Sequence, residues 1–219
     1  MKIDPVILGV VVVLIVYTIS LHELAHAWTA TWAGDPTPAK HGRLTWNPLA
    51  QLDPFTSFVL PLICVLFTGY PYGFAYCPTD PSRYRRPLRD KALVGIAGPT
   101  VNVLATALFI GLLYIPQVTP VDSYNMKICV LAALFNLRLA VFNMIPLHPL
   151  DGYSVFRVFL PGGVRRSLDE FQRSQYYFGS MVAVALGSLL MPYIFPPFMN
   201  TFIRILPPHA VDWLYSIAQ

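Results

Sequence analysis

The chain has 219 residues, 55% of them hydrophobic and 12% charged, with a formal net charge of +4. A soluble domain carries about 25% charged residues, so this composition excludes an ordinary soluble enzyme and points to a polytopic membrane protein. The basic residues gather in particular loops, which fits membrane orientation and not nucleic-acid binding.

In chain order, the first apolar stretch covers residues 6–33 and opens with "VILGVVVVLIVYTI". It is long enough to span with some tilt, since about 20 residues at about 1.5 Å each cross the hydrocarbon. Lys2, the apolar run and the small residues Ala25 and Ala27 could pass for a secretory signal with its cleavage site. The run exceeds a normal signal core, however, and the remainder is equally membrane-like, so this segment is expected to stay in the protein. Residues 55–70, "FTSFVLPLICVLFTGY", form a short apolar stretch broken by Pro61. Residues 92–115 and 128–145 are full-length helix candidates, and residues 176–194 are another, loosened by Gly179 and Gly187. The remainder, "FPPFMNTFIRILPPHAVDWLYSIAQ", reads as one or two short interfacial pieces separated by prolines.

The expected fold is an all-α polytopic membrane protein. It comprises a bundle of about four full transmembrane helices, a short re-entrant segment and C-terminal interfacial helices. With no internal repeat and no loop long enough for an independent domain, residues 1–219 are expected to form one membrane domain. Its core is residues 6–153, with C-terminal membrane and interfacial segments over 154–219. Cys64, Cys77 and Cys129 are odd in number and lack C-x-x-C pairing, which argues against a disulfide framework or zinc ribbon and for free thiols.

Arg83, Arg85, Arg86, Arg89 and Lys91 precede the third stretch, and Arg157, Arg165, Arg166 and Arg173 follow the fourth. The positive-inside rule makes both loops cytoplasmic, so 92–115 runs outward and 128–145 runs back in. Residues 55–70 are marginal for a span, and a re-entrant dip there would also put Lys40 and Arg43 inside.

Within "SLHELAHAWTATW", His22, Glu23 and His26 form a His-Glu-x-x-His cluster. On a helix, four residues correspond to about 40° of rotation and roughly 6 Å of rise, so both imidazoles can meet one metal ion. Glu23 sits beside them, where it can act on a water without being a ligand. Ionisable groups in a membrane helix are functional by default, although two histidines satisfied by hydroxyls in a packed bundle remain a bland alternative. A catalytic zinc needs a third protein ligand and one open position. The candidate lies in "FNMIPLHPLDGY", where Pro146 and Pro149 break the helix and Gly152 permits a tight turn, swinging Asp151 toward the bundle. His148 could be a fourth, site-closing ligand, but its proline-rich setting is expected to aim the ring away. His41 and His209 need only surface roles. Arg138, mid-helix, is expected to pair within the bundle or snorkel.

His22-Glu23-x-x-His26 together with Asn143-x-x-Pro146-x-x-Pro149-Leu150-Asp151-Gly152 resembles the site-2 protease family of intramembrane zinc metalloproteases. "AGPTVN", with Gly98, Pro99 and Asn102, is similar to a further family motif. The run "GDPTPAKHGRLTWNPLAQLDP" resembles the compact subgroup without a PDZ domain. The resemblance implies that His22, His26 and Asp151 bind one catalytic zinc ion and that Glu23 is the catalytic base. It also implies that Asn143 positions or polarises the scissile carbonyl, and that Gly98, Pro99 and Asn102 shape the helix beside the site. The loop "FAYCPTDP" departs from a Lys-Pro-Val element common in the subgroup, which bears on substrate handling and not on the metal.

The cluster lies near the C-terminal end of its helix, and Asp151 lies beyond the cytoplasmic end of an inward-running one. They meet only if the first helix also runs inward. The expected activity is hydrolysis of peptide bonds within or near transmembrane segments of membrane proteins, in the cell membrane, with the active site toward the cytoplasm. Expected partners are transmembrane protein or peptide substrates and the lipid bilayer, without nucleic acid. A helical substrate must unwind and bind as an extended strand, with residues 69–76 as the expected edge. The alternative function is an inactive membrane adaptor with a structural metal site. A metal transporter is a further class, disfavoured by the lack of repeats.

Overall fold

The chain begins its first helix where a cap and a proline coincide. The Asp4 carboxylate accepts a hydrogen bond from the Val6 amide at 2.8 Å, and Pro5, which has no amide hydrogen to satisfy, takes the first helical position of α1 (Pro5–Trp32). In the computed structural model, which describes residues 4–51, 77–174 and 176–218, α1 is followed by a short α2 (Thr37–Lys40). Then come α3 (Pro87–Leu112) and α4 (Tyr124–Asn143). The C-terminal third holds α5 (Asp151–Phe156), α6 (Gly162–Ser174), α7 (Tyr176–Ile194), α8 (Pro196–Ile205) and α9 (Pro208–Ala218). Single 3₁₀ turns at Pro48–Ala50, Pro81–Arg83 and Arg157–Phe159 connect them. Among the described residues there is no strand.

By length and composition, α1, α3 and α4 can each cross a membrane. Their outward faces suit lipid: Val6, Leu8, Val12 and Val13 of α1 and Val103, Leu104 and Leu108 of α3 are all exposed. In α7, expected as a further span, the described apolar stretch is the shorter Val184–Ile194. The expected short stretch at 55–70 lies outside the described residues, as does the expected substrate edge at 69–76.

α3 packs along both α1 and α4. His26 of α1 meets Val94, while His22 meets Asn102, so α1 and α3 run antiparallel. Asn102 meets Asn136, and Thr106 meets Ala133, so α3 and α4 are antiparallel too. α1 and α4 are therefore parallel, and at their N-terminal ends the Tyr124 hydroxyl donates to the Asp4 carboxylate at 3.1 Å. At the other end, α1 stops at Trp32, and just beyond it Gly34 turns the chain with a φ of +110° that suits glycine. There the Arg85 amide donates to the Ala33 carbonyl at 2.9 Å. The chain leaves α1 and re-enters α3 at the same end of the bundle.

α3 and α4 start at Pro87 and Tyr124, earlier than the apolar pattern at 92 and 128 implies. The first turn of α3 carries Arg89, Asp90 and Lys91, charges that hydropathy reads as loop. The buried Asp90 carboxylate accepts from the Arg86 amide at 2.8 Å, tying off that helix start. α6 has no counterpart in the apolar pattern because it is polar. It is fastened to α5 by Asp169, which accepts hydrogen bonds from Arg157 and from the Tyr153 hydroxyl.

Among the described residues, two large apolar clusters hold the bundle, beside a smaller one of Ala30, Ala33, Tyr84 and Val94. Val141, Phe142, Ile145, Leu150, Val184, Met191 and Phe195 join the end of α4 to α7. Ile110, Met126, Val130, Phe202, Leu206, Ala210 and Leu214 join the opposite end of α3 and α4 to α8 and α9. The two C-terminal helices, split by prolines, thus each add buried residues to the core: Phe202 from α8, and Ala210 and Leu214 from α9. Arg138 places its guanidinium 5.5 Å from the Phe195 ring centroid, a contact within the bundle that fits a structural role.

Candidate metal centre

The i, i+4 spacing on α1 sets both imidazoles on the face that α3 covers, and His22 and His26 are 4% and 6% exposed. Their rings meet edge-on, with centroids 4.7 Å apart. Each ring is held by its Nδ1. That of His26 lies 2.6 Å from the Val94 carbonyl oxygen, and that of His22 lies 2.5 Å from the Asn102 side-chain oxygen. Both acceptors belong to α3. With Nδ1–H donated on that side, both Nε2 lone pairs face the same point, 3.0 Å apart.

The close approach of α1 to α3 depends on Gly98. A Cβ at this position would sit 2.4 Å from His26 Nε2 and 2.5 Å from His22 Nε2. Gly95, one turn earlier, does the same for α5, since a Cβ there would lie 2.8 Å from Ser154 Cβ.

Asp151 arrives from the other side. α4 ends at Asn143, and the turn through Pro146 and Pro149 is closed by the Leu150 amide donating to the Leu147 carbonyl at 2.8 Å. Gly152 then passes directly under α4, where a Cβ would be 2.2 Å from the Met144 carbonyl oxygen. This places Asp151 Oδ2 3.2 Å from His22 Nε2 and Oδ1 3.3 Å from His26 Nε2.

The dimensions and chemistry of this triangle fit zinc. Ligands at about 2.0–2.1 Å in a tetrahedron are about 3.3 Å from one another; the two Nε2 atoms are 3.0 Å apart, and Asp151 turns one oxygen to each, Oδ2 at 3.2 Å from His22 and Oδ1 at 3.3 Å from His26. Two neutral nitrogens and a carboxylate form a nitrogen–oxygen donor set that zinc accepts. Two lone pairs aimed at each other in a buried site also call for a cation between them. Glu23 completes the wall, its ligand atom lying within 4.8 Å of those of His22 and His26, and it is itself buried. Asn143 is buried in the last turn of α4.

His148 is no part of this cluster. Its ring stands edge-on to Tyr153, 5.8 Å between centroids, and burial together with the nearby Lys91 pushes its imidazole down to about 4. His41 is exposed, and His209 is partly buried in α9 rather than free on the surface. Cys77 lies close enough to Glu23 and Arg43 to feel both charges. Burial pushes its thiol up, Glu23 adds to that and Arg43 opposes it, so the thiol stays protonated at neutral pH.

Three residues at the site were not singled out from the sequence: Val94, whose carbonyl holds His26, Asn136, which backs Asn102, and Arg43 near Glu23. The first acts through its backbone and leaves no signal in residue type. Asn136 had one, an amide in the middle of an otherwise apolar helix.

No family model and no solved structure matches the chain. Among curated proteins it is 33% identical over 204 residues to "Putative zinc metalloprotease YwhC" of Bacillus subtilis (strain 168), covering 86% of this chain and 85% of that protein. It is 27% identical over 206 residues to "Putative zinc metalloprotease Rip2" of Mycobacterium tuberculosis (strain H37Rv), covering 92% of this chain and 71% of that one. A Mycolicibacterium smegmatis protein also named Rip2 is 29% identical over 153 residues, or 69% of this chain and 57% of its own length. The all-helical architecture, the His-Glu-x-x-His helix and these relatives agree: the chain belongs to the site-2 protease family of zinc metalloproteases.

Proposed function

We propose that the chain is an intramembrane zinc endopeptidase that cleaves membrane proteins within or near their transmembrane segments. The observation that carries this reading is the convergence of His22, His26 and Asp151 on separations of 3.0–3.3 Å, on helices apolar enough for a bilayer. His22, His26 and Asp151 would hold one zinc ion. When bound there, zinc supplies Lewis acidity, lowering the pKa of a water to about 7 and favouring negative charge on oxygen.

With three protein ligands assigned, Glu23 is free to act as the base. It takes the proton of the attacking water and passes it to the departing amide nitrogen as the C–N bond breaks. Asn143, through its side-chain amide, donates a hydrogen bond to the substrate carbonyl oxygen as charge builds there. Burial of Glu23 and both histidines keeps bulk water from screening these interactions.

A helical substrate keeps its carbonyls in its own hydrogen bonds, so it unwinds locally and binds extended. The protein sits in the cell membrane as one domain, with the site opening to the cytoplasm, where the arginine-rich segments before and within the start of α3 and along α6 lie. Reconstitution with a designed transmembrane peptide tests the function. Cleavage should stop with a zinc chelator and return with zinc. A chain that keeps its zinc and never cuts would instead favour an adaptor with a structural metal.

A further inference from the structure

The two histidines are oriented by different means, and the difference assigns a role to Asn136. His26 Nδ1 faces a backbone carbonyl, that of Val94. A carbonyl only accepts, so a neutral His26 carries its proton on Nδ1 and leaves Nε2 bare. His22 Nδ1 faces an amide side chain, that of Asn102. An amide can present either its oxygen or its NH₂, and the two faces impose opposite tautomers on His22. Presenting NH₂ would make Nδ1 an acceptor and put the proton on Nε2, where no metal could then bind.

The choice is made one helix further away. Asn136 in α4 lies against Asn102, with Asn102 Nδ2 3.0 Å from Asn136 Oδ1. Asn136 Nδ2 in turn lies 2.9 Å from the Ala132 carbonyl oxygen. That carbonyl fixes the direction of the whole chain. It accepts from the Asn136 NH₂, so the Asn136 oxygen faces Asn102. Asn102 therefore donates there and turns its own oxygen to His22. Asn102 and Asn136 are 0% and 1% exposed, so no water can substitute for either partner. We infer that Asn136 is a positioning residue for the metal site: through Asn102 it sets the tautomer of His22 that leaves Nε2 free to bind metal.

This rests on the zinc-binding reading of His22, and the test separates the two. Zinc affinity is measured by chelator competition on the full-length chain in detergent, with folding checked by circular dichroism. Asn136→Leu is introduced into the native sequence and into an Asn102→Asp background. A carboxylate at position 102 can only accept from His22, so it needs no help from Asn136. The expected result is a 10- to 100-fold loss of zinc affinity from Asn136→Leu in the native sequence, and less than about 3-fold in the Asn102→Asp background, whatever that background itself costs. Equal losses in both backgrounds would reduce Asn136 to packing and overturn the inference, as would no loss in the native sequence. If Asn136→Leu does not accumulate in membranes, Asn136→Ala removes the amide without adding bulk and replaces it in both backgrounds. An unsubstituted chain that binds no zinc would refute the underlying reading instead.

Discussion

Gly98 lies against His26 so closely that a Cβ at position 98 would come within 2.4 Å of the imidazole Nε2. The absence of a side chain there is what lets α3 close over the metal-facing edge of α1. In an ordinary helix interior, Gly→Ala stabilises by about 0.5–1 kcal/mol. Here Gly98→Ala should instead displace both rings, and a shift on the order of 1 Å in a reacting group can cost about 100-fold in rate. Zinc affinity and peptide cleavage should both fall while helix content is kept. Gly9→Ala, with nothing within 4 Å of the added Cβ, is the control and should change neither.

Gly152→Ala should act on stability as well as on the site. The new methyl group would meet the Met144 carbonyl oxygen at 2.2 Å, a backbone atom that cannot rotate away. Overpacking of this kind costs about 1–3 kcal/mol. The turn that carries Asp151 should open, seen as a lower thermal midpoint in detergent together with weaker zinc binding. Unchanged stability and zinc content would show that the turn at α5 is looser than described.

Glu23→Gln separates the base from the ligands. The substitution keeps size and polarity but removes the ability to take a proton. Zinc content should stay as in the unsubstituted chain, while cleavage falls by about 100- to 10,000-fold. Loss of zinc along with activity would make Glu23 a ligand and not the base.

Substrate choice should follow helix stability. A transmembrane peptide with glycine, proline or asparagine near the cut unwinds more easily than one of leucine alone, so it should be cleaved faster. Parallel assays of the two peptides at equal density in liposomes measure this. Undiminished cleavage of the all-leucine helix would contradict the need for unwinding.

What the sequence reveals depends on contrast. His22, Glu23 and His26 stand out because an apolar helix has no other reason to carry them, and Asp151 because two prolines and a glycine surround it. Asn102 was visible within a motif, though its hydrogen bond to His22 was not. Asn136 carried the same signal of an amide among apolar residues, yet its meaning depends on which helix lies opposite, and hydropathy does not encode that. The helices themselves were legible where they are apolar. Hydropathy hid the charged first turn of α3 and the polar α6, because it senses burial in lipid and not backbone geometry. The buried faces of α8 and α9 were hidden for a related reason. An apolar face looks alike in sequence whether it meets lipid or the ends of α3 and α4.

The central claim, that His22, His26 and Asp151 grip one ion, is tested most directly by metal content. The purified chain and its His22→Ala, His26→Ala and Asp151→Ala variants are each loaded with zinc, desalted and analysed for metal. The account predicts about one zinc per chain in the unsubstituted protein and little in any of the three variants, because a catalytic site with two protein ligands holds zinc poorly. An Asp151→Ala variant that retains zinc as the unsubstituted chain does would contradict it.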